Sequence, residues 1–225
     1  MKVLVAGATG GCGRLIVRRL TDLGISTRVF TRDARRAGAL GDVEVVEGNA
    51  LSADDCRRAV EGCHAVICAL GERWVPRDHR IVDGDGVINL AEAACRAGAR
   101  RFILVSGSII WAPFFIRWFF HALRVMPIAE EKVRSEAFIR SSELAWTILW
   151  PGFLSNSRVR AEPLLLPESG RAPGLTSKQA VADVAVRCLN SENAIGQVFI
   201  VVDRSVRWGI WRGKPVHLDV PWTEW

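Results

Sequence analysis

The sequence predicts an α/β fold: a single domain built on a doubly wound, mostly parallel sheet. Two observations carry this. Short β-branched runs alternate with amphipathic helical patterns from the first residues onward, the rhythm of strand–helix–strand units. The first run, Val3 to Val5, passes straight into the glycine turn Gly7-Ala8-Thr9-Gly10-Gly11-Cys12-Gly13, and Leu15, Ile16, Leu20 and Leu23 then recur at helical spacing. With 225 residues, 49% hydrophobic and 24% charged, the chain can bury one substantial core.

The remaining elements follow in order. Ser26 to Thr31 reads as a second strand, ending in Thr31-Arg32-Asp33. Val43 to Glu47 reads as a third, followed by Gly48-Asn49-Ala50 and a helix that Ser52 caps, with Asp54 and Asp55 in its first turn. His64 to Ala69 is a fourth strand running into Leu70-Gly71. A long helix over Arg80 to Ala97 stops at Gly98, and Arg101 to Ser106 is the fifth strand. Residues 109–128 interrupt the rhythm with a dense aromatic insert, which Arg117, His121 and Arg124 make too polar for an ordinary spanning helix. A helix from Ala129 carries Lys132 and Glu136, and Trp146 to Trp150 is a sixth strand capped by Pro151-Gly152-Phe153-Leu154. A Pro- and Gly-rich stretch, residues 163–174, precedes a helix over Ser177 to Leu189, and Gln197 to Val202 is the last strand. The domain is thus expected over 1–203, with a tryptophan-rich tail, 204–225, packing on it through residues such as Trp208, Trp211, Trp222 and Trp225.

Composition narrows the partners. The net charge of +6 suits anionic ligands, but the arginines are scattered and no basic stripe interleaves with aromatics, so nucleic acid is not expected. The six cysteines form no CxxC pair and no zinc-spaced cluster. They read as buried free thiols in a reducing cytoplasm, with no metal site. The opening strand lacks the regions of a signal peptide. The chain contains no tyrosine.

The glycine turn has the parts of a phosphate cradle. Gly7 permits a tight turn, Gly10 lets backbone N–H groups approach a pyrophosphate, and Gly13 lets the helix pack on the strand. The Gly-x-x-Gly-x-x-Gly spacing is one residue longer than the usual Rossmann fingerprint, and a strand-to-helix turn without a ligand is the alternative.

Several segments in register over residues 1–203 extend the reading. VLVAGATGGCGR, RVFTRD, VEVVEGNAL, AVICALG, IVDGDGVINLAEAACRAGARRFILVSG and SEAFIRSSELAWTILWPGFL together resemble the atypical short-chain dehydrogenase/reductase superfamily. The resemblance is to its NAD(P)H-binding, NmrA-like branch, which includes flavin and biliverdin reductases and NADP-sensing regulators. It implies a Rossmann-like fold with a dinucleotide held by Gly7, Thr9, Gly10, Gly11, Cys12 and Gly13. By the same resemblance Asn49 and Ala50 flank the adenine, although the family often has aspartate where Asn49 stands. Ala69, Leu70 and Gly71 lie along the nicotinamide ribose, Lys132 holds ribose hydroxyls, and Pro151, Gly152 and Phe153 border the nicotinamide. Where a ribose-binding acid is expected at the end of the second strand, Thr31 and Arg32 stand instead. A guanidinium there accepts a 2′-phosphate that a carboxylate would repel, so NADP(H) is favoured over NAD(H), with Arg14 and Arg35 as helpers. Asp33 turned toward a ribose hydroxyl would oppose that preference, and solvated surface arginines are the plainer alternative.

The superfamily's chemistry uses serine, tyrosine and lysine. Ser106 and Lys132 occupy two of these positions, but Ile128 stands where the tyrosine belongs and can donate no proton. Hydride transfer to flavins, quinones or conjugated acceptors tolerates that loss, and His121 is a candidate acid. The 109–128 insert could line an apolar substrate pocket, act as a lid, bury itself in a homodimer interface, touch a membrane surface, or simply pack in the core. The leading expectation is an NADPH-dependent reductase of an apolar aromatic or conjugated small molecule. A cofactor-holding redox sensor, and a non-redox isomerase or cyclase, are the alternatives.

Overall fold

The apolar run at the start of the chain becomes the middle of a sheet. The computed structural model describes residues 1–71, 82–107, 126–159, 161–170, 174–203 and 212–223. In chain order, Lys2–Ala6 (β1) leads into Gly11–Asp22 (α1), then Ser26–Thr31 (β2), Glu44–Glu47 (β3), Ala53–Val60 (α2) and Ala65–Cys68 (β4). One wide helical turn, Val82–Gly86, opens Val87–Arg96 (α3), which ends before Gly98 at φ +67°. Arg101–Val105 (β5), Met126–Ser141 (α4) and Trp146–Pro151 (β6) follow. The short strands Phe153–Ser155 (β7), Leu164–Pro167 (β8) and Leu175–Ser177 (β9) precede Lys178–Arg187 (α5) and Gln197–Val202 (β10).

Eight strands form one sheet in the order β3-β2-β1-β4-β5-β6-β10-β8, parallel except for β8, which runs antiparallel to β10. Side chains alternate across each strand, so every inner strand feeds two cores. Val3, Val5, Ile67, Ile103, Leu149 and Phe199 pack with α1 and α5, while Leu4, Val66, Phe102, Leu104, Ile148 and Ile200 pack with α2, α3 and Ile139 of α4. Because all parallel strands point the same way, their carboxyl ends share one edge of the sheet, where ligands of such folds gather.

Two local differences from the sequence reading stand out. β8 lies within the Pro- and Gly-rich stretch, and β7 pairs with β9 just beyond the sixth strand. Such short segments carry too little alternation to be read, and their pairing partners supply the order. α4 begins at Met126, ahead of Ala129. Of the long helix predicted over Arg80 to Ala97, the described part from Val82 forms the wide turn and α3. Residues 212–223 run over the carboxyl ends of α1 and α5. Val216 bridges to Leu165 of β8, and Arg19 and Arg187 donate to the Thr223 (2.8 Å) and Val220 (2.7 Å) carbonyls. Most of the aromatic insert, with His121, and Trp208, Trp211 and Trp225 of the tail lie outside the described residues. Among the described residues no helix is long and apolar enough to cross a membrane.

Candidate dinucleotide site at the carboxyl edge

The glycine turn closes when the Gly10 N–H donates to the Gly7 carbonyl (3.0 Å). Gly7 is left-handed at φ +79°, and a Cβ there would also strike the Ala69 carbonyl at the end of β4. A Cβ at Gly13 would collide with the Gly7 carbonyl and come within 2.7 Å of Ala8 Cα. These two positions press α1 onto β1 and β4. Gly10 differs, being exposed and meeting only the Gly7 carbonyl, at 3.1 Å from a built Cβ. As the N-cap of α1 it supplies no side-chain acceptor, and the first turn holds no acid. The first-turn N–H groups and the positive helix end therefore face outward without an acid or a side-chain cap of their own, a donor set that fits a pyrophosphate. The Arg14 guanidinium braces this turn by donating to the Thr9 carbonyl (3.1 Å). Burial pushes the Cys12 thiol up to about 11, against the pull of the Lys178 ammonium, so at neutral pH it is a thiol rather than a thiolate.

A cleft of about 360 Å³ opens at the ends of β2 and β3, lined by Arg32, Glu47, Gly48, Asn49, Asp55 and Arg58. Arg32 is exposed and has no ion-pair partner among the described residues. Asp33 caps the single turn Ala34–Arg36: its Oδ1 accepts from the Arg35 N–H (3.1 Å) and Nε (3.3 Å), so these two side chains are committed to each other. The Asp55 carboxylate accepts from the Asn49 N–H (2.8 Å) and pairs with Arg58 (2.7 Å), and both hold it below the usual carboxylate range. Asn49 Oδ1 accepts from the Leu51 N–H (3.1 Å), which gives this side chain a turn-forming task. Ala50 is buried, and its carbonyl accepts from Asn89 Nδ2 (3.0 Å). Glu47 is the remaining acid on the wall, its Oε2 at 3.4 Å from the Ala34 nitrogen.

At the other end of the edge, α4 presents Lys132 and Glu136 one turn apart toward the sheet. Lys132 Nζ pairs at 2.5 Å with Asp83, whose side chain is 1% exposed. A Cβ on Gly71 would lie 3.9 Å from that carboxylate, so the pair closes against the Ala69–Gly71 segment. Glu136 is 4% exposed and accepts from Trp150 Nε1 (2.9 Å), with Arg140 at 3.7 Å. Burial raises its pKa, while Ser106, Trp150, Arg140 and Lys132 pull the other way. The Ser106 hydroxyl is buried without a hydrogen bond of normal geometry among the described residues, yet it stands close enough to Glu136 to favour the ionised carboxyl. Ile128 is buried in the first turn of α4. The Gly152 N–H donates to Thr176 Oγ1 (3.0 Å), and Phe153, Leu154 and Leu175 of the β7–β9 ribbon are 51%, 45% and 40% exposed.

The structure thus sets the glycine turn against Ala69 and gathers Ser106 and Lys132 around Glu136. It places Arg32 and Asn49 in a separate cleft at the β2–β3 end. Sequence reasoning missed Asp83 as the partner of Lys132, the burial of Glu136, and Lys178 at the cradle. Asp83 in IVDGDG, on the helix predicted over Arg80 to Ala97, was the available signal for the first. No group of three or more histidine, cysteine or acidic side chains suited to a metal ion occurs among the described residues.

Comparison with known proteins agrees with this geometry. The profile of the NAD(P)H-binding family matches residues 7–192. An uncharacterized chloroplastic protein of Arabidopsis thaliana is 30% identical over 223 residues, covering 91% of this chain and 77% of that protein. Among solved structures, the anaerobilin reductase ChuY of Escherichia coli O157:H7 superposes with a TM-score of 0.78 at 20% identity, covering 92% of this chain and 99% of that one. A short-chain dehydrogenase/reductase of Veillonella parvula, solved in complex with NADP, superposes with a TM-score of 0.75 at 19% identity, covering 92% and 96%. The bare glycine cradle, the order of the strands and the matched family model lead to one conclusion: the chain belongs to the NAD(P)H-binding family.

Proposed function

We propose that the protein is an NADPH-dependent reductase of apolar, aromatic or conjugated small molecules. The observation that carries this reading is the arrangement along one sheet edge. The uncapped cradle lies between the arginine-lined cleft and an exposed apolar ribbon of Phe153, Leu154 and Leu175. Arg32 supplies a cation for a 2′-phosphate, and Asp33, held by Arg35, does not compete for the ribose. Pro151, Gly152 and Phe153 border the nicotinamide end, and the apolar ribbon is the surface on which a planar substrate settles. The bound dinucleotide supplies the hydride. With Ile128 in place of a phenol, Ser106 is the hydroxyl nearest to hand, and the buried Glu136 behind it, its pKa raised by burial, is the acidic group nearest to that hydroxyl. Lys132, neutralised by Asp83, positions ribose hydroxyls. Five buried thiols suit a reducing compartment, the cytoplasm in particular.

The test is a pair of binding titrations with an acceptor panel. Arg32→Ala is expected to weaken NADPH roughly tenfold or more and NADH little, the loss of one charge-assisted contact. Equal losses for both would remove the phosphate assignment. Flavin, quinone and open-chain tetrapyrrole acceptors should consume NADPH. The absence of a phenolic acid favours a second reading, a redox sensor, which would bind NADP⁺ and NADPH unequally and show no oxidation of NADPH with any acceptor.

A further inference from the structure

α1 and α5 lie side by side with their amino ends together, and Lys178, the first residue of α5, rests on Gly11, the first residue of α1. A Cβ built on Gly11 would fall 2.9 Å from Lys178 Cδ and Cε and 3.0 Å from its Nζ. The room a side chain at position 11 would fill is therefore the room the lysine uses. The ammonium donates to Asn156 Oδ1 (2.8 Å), a neutral acceptor just past β7, and no carboxylate pairs with it among the described residues. Neither helix has an acid in its first turn. Ser177 satisfies one N–H of α5 by accepting from Ala180 (3.0 Å), whereas α1 has no side-chain cap at all. Two positive helix ends and an ammonium thus converge with no countercharge between them among the described residues, an arrangement that is repulsive until an anion enters.

We infer that Lys178 is a ligand of the dinucleotide's pyrophosphate, reaching over the bare Cα of Gly11 to add a charge to the backbone donors of α1. This rests on the dinucleotide-binding reading. Asn156 holds the ammonium at the mouth of the cradle, and Gly11 has a second task beside backbone approach: it clears the lysine's path.

Direct binding calorimetry of the full chain tests this with three probes: NADPH, ADP-ribose, which keeps the pyrophosphate but has no 2′-phosphate, and 2′-AMP, which has the 2′-phosphate but no pyrophosphate. Lys178→Met keeps the aliphatic stem and removes the charge. It is expected to weaken NADPH and ADP-ribose roughly 10- to 100-fold, to leave 2′-AMP unchanged, and to flatten the salt dependence of ADP-ribose binding. Lys178→Arg is expected to stay within a few-fold of the parent, as the charge is retained. Gly11→Ala, which pushes the lysine aside without touching its charge, should reproduce the ADP-ribose loss and serves if Lys178→Met does not fold. Unchanged ADP-ribose affinity in Lys178→Met, or an equal loss of 2′-AMP, overturns the assignment. If the parent protein binds none of the three, the dinucleotide reading falls together with it.

Discussion

Glu136 is a carboxyl group in a place that water scarcely reaches, against an indole N–H and the buried hydroxyl of Ser106. Burial lifts its pKa above the ordinary glutamate value, so the folded chain holds this proton more tightly than the unfolded chain. Stability tied to this group is therefore greatest at low pH and is lost as pH rises from the ordinary glutamate value through the folded one. Glu136→Gln, which keeps an acceptor for Trp150, is expected to remove that loss. Its melting temperature should match the parent near pH 4 and exceed it at pH 8, the unfolding free energies differing there by about 1.4 kcal/mol for each tenfold difference in proton affinity between the folded and unfolded chain. Parallel melting curves across that range would show that the carboxyl ionises freely. The sequence showed Lys132 and Glu136 on one helical face, because the period of a helix is legible. It could not show that Glu136, rather than Glu131 beside the lysine in the chain, is the buried acid. Glu131 pairs with Arg134 at the surface, whereas Glu136 meets Trp150, a contact made only once α4 packs on β6.

At the scale of elements, the junction of β1 and α1 is the most constrained. Gly13→Ala sets a methyl group against the Gly7 carbonyl and Ala8 Cα, backbone atoms that cannot swing aside as a side chain would. It is expected to cost about 1–3 kcal/mol in urea unfolding, the range for overpacking, and to lower NADPH affinity because the cradle must shift. An alanine at Gly38, where a Cβ meets nothing within 4 Å, is the control and should unfold like the parent. This junction was legible before any coordinates, since a β-branched run, three spaced glycines and an amphipathic stretch each point to the same local geometry. Ser52 likewise caps α2 as its sequence suggests, accepting from the Asp55 N–H (3.3 Å). The strands β7, β8 and β9 were not legible, because three or four residues give no usable period and their order comes from neighbours distant in the chain.

Across the whole molecule, alternating apolar runs were enough to foretell a parallel sheet clothed by helices, but not what closes its far side. There the tail meets buried charge. Asp183, fully buried on α5, faces Arg19 at 3.5 Å and Arg187 at 3.7 Å, and Arg187 also reaches Glu162 (2.9 Å) and the Val220 carbonyl (2.7 Å). Arg187→Met is expected to destabilise by roughly 3 kcal/mol, the lower end for breaking a buried pair, because Arg19 still faces Asp183. These groups sit at the carboxyl ends of α1 and α5, away from the cradle, so NADPH affinity of the folded variant should be unchanged. A variant that lost both together would tie the tail to the cofactor end. The Val216 bridge gives the tail another consequence. β8 is the last strand of the sheet, and its Leu164, Leu165 and Leu166 would otherwise offer unpaired backbone groups beside buried leucines. The Val216 N–H donates to the Leu165 carbonyl (2.9 Å), so at this point the outer margin of the sheet is already paired from within the chain. The stretch that staples two helices thus also blunts one edge of the sheet.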